Sequence, residues 1–548
     1  MKKLNLYILW AGLAVLTCSS CKKQLEEYNP GGLTAEAVFT TPAGFETLVN
    51  AAYEYQRWWY GKEDGFSLSE MGTDIWINGS GDAAPELNRY VNLTGNSAAV
   101  TTEWQQLYAA VNLCNTGINR IAGAGYPAAQ ATTREAELRF LRAFYYWHIV
   151  ETWGDVHFTL QETTGIVTTA NRTPVATFYD QIIKDLQFAT ANLPATTTDY
   201  GRVTKPAARA FLSRIYLTRG MNKEAIDMAN DVIKNYGFSL QASYADLWKM
   251  TNLQNKEVVY AVNYSANLSL NDLKDPILFP NGHGRGANNG HMVFVMKYDD
   301  QPGLTRDIPY GRPFVRYAPT LFLLNLFNEA NDARYEGSFQ TVWYANSPTR
   351  PAGMNLGDTA VFVTKNVVSL ADQAKKVYRT YDRNKTYKAD GSYLDNNHYV
   401  TLSKFADPTR PSSNEQQSAR DVFVIRLAEM YMNAAEAEFK LGKLDSAAYY
   451  LNIVRTRAAK SGKVAAMQVT QNQINLDFIL DERAREFAGE QIRWFDLKRT
   501  GKLIDRVKLD NPDAAPNIQA FHLLRPIPQA QLDAVTNRAD FKQNPGYQ

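Results

Sequence analysis

Residues Arg426 to Ala459 read RLAEMYMNAAEAEFKLGKLDSAAYYLNIVRTRAA. Small and apolar side chains recur at helical spacing in both halves of this stretch. Ala434, Ala435, Ala437 and Phe439 precede the middle, and Ala447, Ala448, Leu451, Ile453 and Val454 follow it. Gly442 and Lys443 lie between, where a helix can stop and reverse. The alanines keep the space between the two halves thin, so the spacing predicts two closely packed helices, Arg426–Leu441 and Leu444–Ala459. One such pair cannot bury its outer apolar face alone and needs neighbours of the same build.

The plan recurs upstream. Lys205–Arg219 carries Ala208, Phe211, Leu212 and Ile215, and Asn222–Tyr236 carries Ala225, Met228, Ala229 and Val232, with the turn Arg219-Gly220-Met221-Asn222 between them. The length of one pair matches the tetratricopeptide unit of about 34 residues. Helical spacing also links Phe45, Leu48, Val49 and Ala52; Trp104, Leu107, Tyr108, Val111 and Ile118; Leu138, Leu141, Tyr145 and His148; and Phe178, Ile182, Leu186 and Ala189. The expected fold is mainly α, a tetratricopeptide-like helical-repeat superhelix. Residues 237–420 differ, being rich in Gly, Asn, Tyr and Pro with strand-like runs at Val258–Val262, Met292–Val295 and Val361–Val363. They read as a large, irregular, loop-rich insertion between an N-terminal helical region, 36–236, and a C-terminal one, 421–548. Loops held on a rigid scaffold are where binding residues gather, so the insertion is the expected ligand-binding part.

The first residues carry an address. Lys2 and Lys3 precede a mainly apolar run, Leu4–Thr17, which is too short for a comfortable membrane span. Ser19, Ser20 and Cys21 follow, so 1–20 reads as a lipoprotein signal peptide, with lipid on the thiol of Cys21 and a polar tether over 21–35. The plainer alternative is a secretory signal with an incidental cysteine. Removal of Cys18 and acylation of Cys21 would leave Cys114, which cannot form an internal disulfide and reads as a small core residue. Lys and Arg number 58 against 56 Asp and Glu, and no cluster of cations suggests a nucleic-acid surface.

The chain offers little for catalysis. Its six histidines, His148, His157, His283, His291, His398 and His522, form no HExxH pair and no Cys/His cluster, so no metal is expected. Gly282, Gly284 and Gly286 are followed by the extended run Met292–Val295 where a dinucleotide fold needs a helix, so no cofactor is expected. Glu482, Glu486 and Glu490 share one face of an expected helix Leu480–Arg499 and could form an acid–base pair. Interleaved Arg483, Arg485 and Arg493 make an ion-pair network the simpler account. No catalytic residue is assigned, although a carboxylate pair assembled from distant segments stays open. For binding, flat rings suit the apolar face of a sugar and neighbouring polar groups suit its hydroxyls. Asp74, Trp76, Asn78 and Arg89 form one such mixture; Arg312, Arg316, Trp343 and Tyr344 form another in the insertion.

Several further runs occur in a fixed order. They are Tyr28-Asn29-Pro30, Arg139–Trp147, Trp153-Gly154-Asp155-Val156, Arg426–Tyr431, Ala434–Ala437, Leu451–Arg455, Glu482–Phe487, Arg493–Arg499, Pro526-Ile527-Pro528 and Gln543–Tyr547. In these the chain resembles the SusD/RagB family of Bacteroidetes outer-membrane nutrient-binding lipoproteins over almost its whole mature length. The resemblance implies four tetratricopeptide-like units, a lipid anchor in the outer membrane at the cell surface, and a SusC-like TonB-dependent receptor as partner. It also implies an oligosaccharide ligand that is bound and not hydrolysed. The shared runs are scaffold motifs and carry over no ligand residues. A peptide ligand on the same scaffold, an unrecognised glycoside hydrolase and a helical-repeat adaptor remain the alternatives.

Overall fold

The computed structural model describes residues 35–547 except 266 and 268–287. The signal peptide, Cys21, His283 and the Gly282-Gly284-Gly286 run lie outside the described residues. The quoted stretch forms helices Leu427–Lys440 and Leu444–Ala458. Gly442 closes the turn between them at φ +76°, a left-handed conformation that a Cβ would strain. Ala434, Ala435, Ala437 and Ala447 are completely buried, Ala435 and Ala447 in one shared cluster between the two helices. Lys205–Thr218 and Asn222–Asn235 form the second expected pair. Before them, Ala98–Arg120, Ala128–Trp153 and Val175–Asn192 pack side by side in chain order. The protein is therefore mainly α, with tetratricopeptide-like repeats.

The insertion interrupts the chain without interrupting the stack. Helix Asn222–Asn235 packs directly on Leu427–Lys440, and the buried Arg214 and Glu429 pair at 2.7 Å across the same junction. Strand Val258–Val262 runs antiparallel to Val422–Arg426, so the two ends of the insertion are hydrogen-bonded together. One hydrophobic core follows the helices from Phe45 to Phe541. A second lies within the insertion, around Phe294, Tyr317, Trp343 and Tyr399, and it also takes Phe66, Met71, Ile75, Trp76 and Ala83. The N-terminal helical region thus gives part of its chain to the inserted lobe, because Trp76–Asn78 is a strand paired antiparallel with Tyr317–Pro319.

Two local expectations change. Met292–Val295 is not extended: Gly290–Val293 is a short buried helix, opened by Asn289, whose carbonyl accepts from Met292 N at 2.9 Å. A brief apolar run carries no period that separates a buried helix from a strand. The expected helix Leu480–Arg499 is two helices, Leu476–Phe487 and Arg493–Arg499. The break inserts the Gln491 side chain between Gly61 N, 3.1 Å away, and Trp59 O, 2.8 Å away. Val361–Val363 lies, as expected, in a strand, the central one of Val342–Tyr344, Thr359–Val363 and Arg379–Tyr381. No described helix is long and apolar enough to cross a membrane.

Candidate binding site

The pairing of Trp76–Asn78 with Tyr317–Pro319 joins the two segments that the sequence marks for ligand contact. The individual residues divide sharply. Asp74 is fully buried, paired with Arg493 at 2.5 Å and Arg506 at 2.8 Å. Burial pushes its carboxyl up, but the two guanidiniums hold it below the usual range. Trp76 is fully buried against Phe294, with ring centres 4.9 Å apart. Asn78 is buried too, donating to Asp82 Oδ1 at 2.8 Å and to Ala83 O at 3.0 Å. Along Val342–Tyr344 alternate side chains face opposite ways, so Trp343 is in the core and Tyr344 is half exposed. Asp74, Trp76, Asn78 and Trp343 therefore build the lobe and do not face solvent. Arg89, Arg312, Arg316 and Tyr344 reach the surface.

Four surface residues that sequence reasoning missed complete this edge. Phe314 lies between two guanidiniums, Arg312 at 5.0 Å and Arg316 at 5.3 Å from its ring centre. Asp82 pairs with Arg89 at 2.7 Å, and Glu63 with Arg316 at 3.3 Å. The Tyr310 hydroxyl accepts from Tyr344 N at 2.9 Å, which ties the far end of the same loop to the exposed tyrosine. Arg316 also donates to Gly81 O. Beside Arg89 the surface sinks into an open depression of about 480 Å³, lined by Glu86, Val91, Asn92, Thr94 and Asn96 among others.

The backbone here is held in unusual conformations. Of the six non-glycine residues with left-handed φ among the described residues, five lie along this edge: Asp82, Ala84, Tyr90, Asn92 and Val315. A β-branched residue at φ +56° is rare, and Val315 stays there because Gly79 N and Gly81 N donate to Arg316 O and Val315 O, each at 2.9 Å. A Cβ on Gly79 or Gly81 would strike those backbone carbonyls or their neighbours, so the approach requires glycine. From the other side Ser80 donates to Asn397 Oδ1 at 2.6 Å and, through its N–H, to Asn396 O at 3.0 Å. His398 fixes that segment, lying 2.7 Å from Asp395 and 3.1 Å from Asp300 and stacking on Tyr381. Burial would lower its pKa, but the two carboxylates raise it. Strain of this kind costs about 1–3 kcal/mol per residue and persists where the surroundings over-determine it, which is typical of ligand clamps.

The three carboxylates Glu482, Glu486 and Glu490 are engaged in ion pairs. Glu486 is fully buried and pairs with Arg334 at 3.1 Å, Arg426 at 3.0 Å and Arg457. Glu482 pairs with Arg334 at 2.9 Å, Arg455 at 2.5 Å and Arg485 at 2.7 Å; Glu490 pairs with Lys404 and Arg426. Burial would raise the Glu486 carboxyl, but Arg457, Arg426, Arg334 and Lys404 bring it from 4.5 to about 2. Glu482 and Glu436 are likewise held well below the carboxylate range by arginines, against the effect of burial. A carboxyl so depressed stays ionised at neutral pH and cannot serve as a general acid. Stability from these pairs is full above the ordinary carboxylate pKa and is lost as pH falls through the depressed values. The urea midpoint should thus drop steeply between pH 5 and pH 2; a midpoint flat across that window would contradict the assigned pairs. No described group of three or more His, Cys, Asp or Glu could hold a metal ion.

By architecture, then, the molecule is a tetratricopeptide-like frame carrying an inserted lobe with a strained polar–aromatic edge. A family model described as SusD family matches residues 309–547, and one described as starch-binding associating with outer membrane matches residues 45–217. The chain belongs to the SusD family. It is 26% identical to SusD-like protein P2 of Formosa agariphila over the full length of both chains. It is 22% identical to starch-binding protein SusD of Bacteroides thetaiotaomicron, over 88% of this chain and 85% of the other. Among solved structures, surface glycan-binding protein A of Bacteroides thetaiotaomicron in complex with laminarihexaose superposes with a TM-score of 0.70 at 21% identity, covering 92% of this chain and 99% of that one.

Proposed function

We propose that this protein is a cell-surface lipoprotein that binds an oligosaccharide at the Asp82–Arg89 and Arg312–Arg316 edge and passes it, uncleaved, to a SusC-like TonB-dependent receptor. The observation that carries the binding assignment is the convergence of two distant segments on one over-determined edge. There Phe314 and Tyr344 provide rings, and Asp82, Arg89, Arg312 and Arg316 provide hydroxyl partners. The names of the relatives, starch-binding and glycan-binding, support a sugar over a peptide. Lipid on Cys21 would supply the anchor, since the described chain offers no membrane-spanning helix. The engagement of Glu482, Glu486 and Glu490 in ion pairs supports binding without hydrolysis. The test is an array of oligosaccharides and peptides probed with the purified protein, followed by prolonged incubation with whatever binds. Retention of one glycan class with no product is expected. Retention of peptides alone, or product that survives repurification, would overturn the proposal.

A further inference from the structure

A second recess lies on the helical frame, away from the inserted lobe. It is an open cleft of about 470 Å³ where the end of helix Ala128–Trp153, the start of Val175–Asn192, the end of Lys205–Thr218 and helix Arg493–Arg499 meet Asn544 and Pro545. Its size falls in the range of small-molecule sites. Four cations line it, Arg172, Arg219, Lys498 and Arg499, against two carboxylates, Glu151 and Asp155.

Most of these charges are already matched. Lys498 lies 3.2 Å from the Glu151 carboxylate, which also accepts from the Tyr179 hydroxyl. Arg499 pairs with Glu436 at 2.5 Å and Asp496 at 2.8 Å behind the cleft wall. Asp155 accepts from Val175 N at 2.9 Å. Arg172 and Arg219 differ. Arg172 donates only to neutral acceptors, Lys542 O at 2.5 Å and Asn544 Oδ1 at 2.9 Å. Arg219 is exposed, its guanidinium 4.6 Å from the centre of the Tyr179 ring. Neither has a carboxylate within ion-pair distance among the described residues. Arg142 and Arg214 on the same frame, by contrast, are answered directly, by Asp185 and Glu429. Burial pushes Arg172 and Lys498 below their usual pKa values, against the opposing pull of Asp155 on the first and Glu151 on the second.

We propose that this cleft binds the oxyanion group of a small ligand, a carboxylate or a sulfate, through Arg172 and Arg219. The planar, always-charged fork of arginine fits either group with two parallel hydrogen bonds. The ligand can be a free anion or a sugar that bears an acid group. The site is separate from the polar–aromatic edge.

The experiment is calorimetric titration of sodium glucuronate, sodium sulfate and glucose into the full-length protein at low ionic strength, repeated with Arg219→Ala and Arg172→Gln. Glucuronate should bind and glucose should not, and each variant should weaken glucuronate by about tenfold or more, which is 1.4 kcal/mol. Equal binding of sulfate would identify a bare oxyanion site; glucuronate binding alone would identify a sugar-acid site; both support the proposal. Arg172 also holds Asn544, so if Arg172→Gln fails to fold, Arg219→Ala decides, being a surface change. Failure of glucuronate to bind, glucose binding as well as glucuronate, or full glucuronate affinity in Arg219→Ala would overturn it.

Discussion

Arg426→Ala should lower the stability of the folded chain by about 3–5 kcal/mol, the cost of leaving buried charges without their partner. Arg426 is buried where three parts of the molecule meet. It pairs with Glu257 of the insertion at 2.6 Å, and with Glu486 at 3.0 Å and Glu490 at 2.7 Å in the C-terminal region. Its guanidinium also lies over Trp248 and Phe487, 5.4 and 5.0 Å from their ring centres. Deleting it removes a cation from three carboxylates at once, leaving Glu257 with Arg457, Glu486 with Arg334 and Arg457, and Glu490 with Lys404. Arg426→Lys keeps the charge but not the forked geometry and should lose less. The urea midpoint of each variant, with the slope of the transition checked for constancy, measures both effects. A loss under about 1 kcal/mol for the alanine variant would mean that the network does not join the lobe to the frame.

Trp76→Ala should also cost about 3–5 kcal/mol, as a fully buried indole replaced by a methyl group. Its ring fills the second core beside Phe294, and its strand pairs with Tyr317–Pro319. Trp343→Ala should behave similarly, since that ring is equally buried. In a thermal melt both variants should unfold earlier than the wild type. A normal melt combined with lost ligand would return these rings to the binding surface.

These two tryptophans mark the limit of what the sequence could tell. The helical pairs were legible because their information is local: Ala434, Ala435 and Ala437 repeat at helix spacing, and Gly442 marks the turn. The buried network was legible in part, since Arg483 and Arg485 among Glu482 and Glu486 pointed to ion pairs, although Arg334, Arg426 and Arg457 lie far away in sequence. Trp76 and Trp343 looked exposed because each stands in a segment rich in polar residues. What buries Trp76, Phe294 for one, is distant in the chain, and strand pairing between remote segments leaves no periodic trace. The two marked segments do meet at one edge, but only some of the side chains picked out in them reach its surface. Arg89, Arg312, Arg316 and Tyr344 lie at the surface, whereas Phe314 was passed over although it stands between two arginines. The Gly79-Ser80-Gly81-Asp82 run was the one local signal that a strained turn lay there.

The central claim is that the Phe314 edge binds the glycan, and it is tested most directly by titrating the oligosaccharide selected on the array into wild type, Phe314→Ala and Arg316→Ala, with a thermal melt of each. Phe314 and Arg316 lie at the surface beside the Gly81–Asp82 turn. Both variants should weaken binding by more than about 1 kcal/mol, as loss of an anchoring contact does, while melting close to the wild type. Wild-type affinity in both well-folded variants would contradict the account and place the ligand elsewhere on the protein.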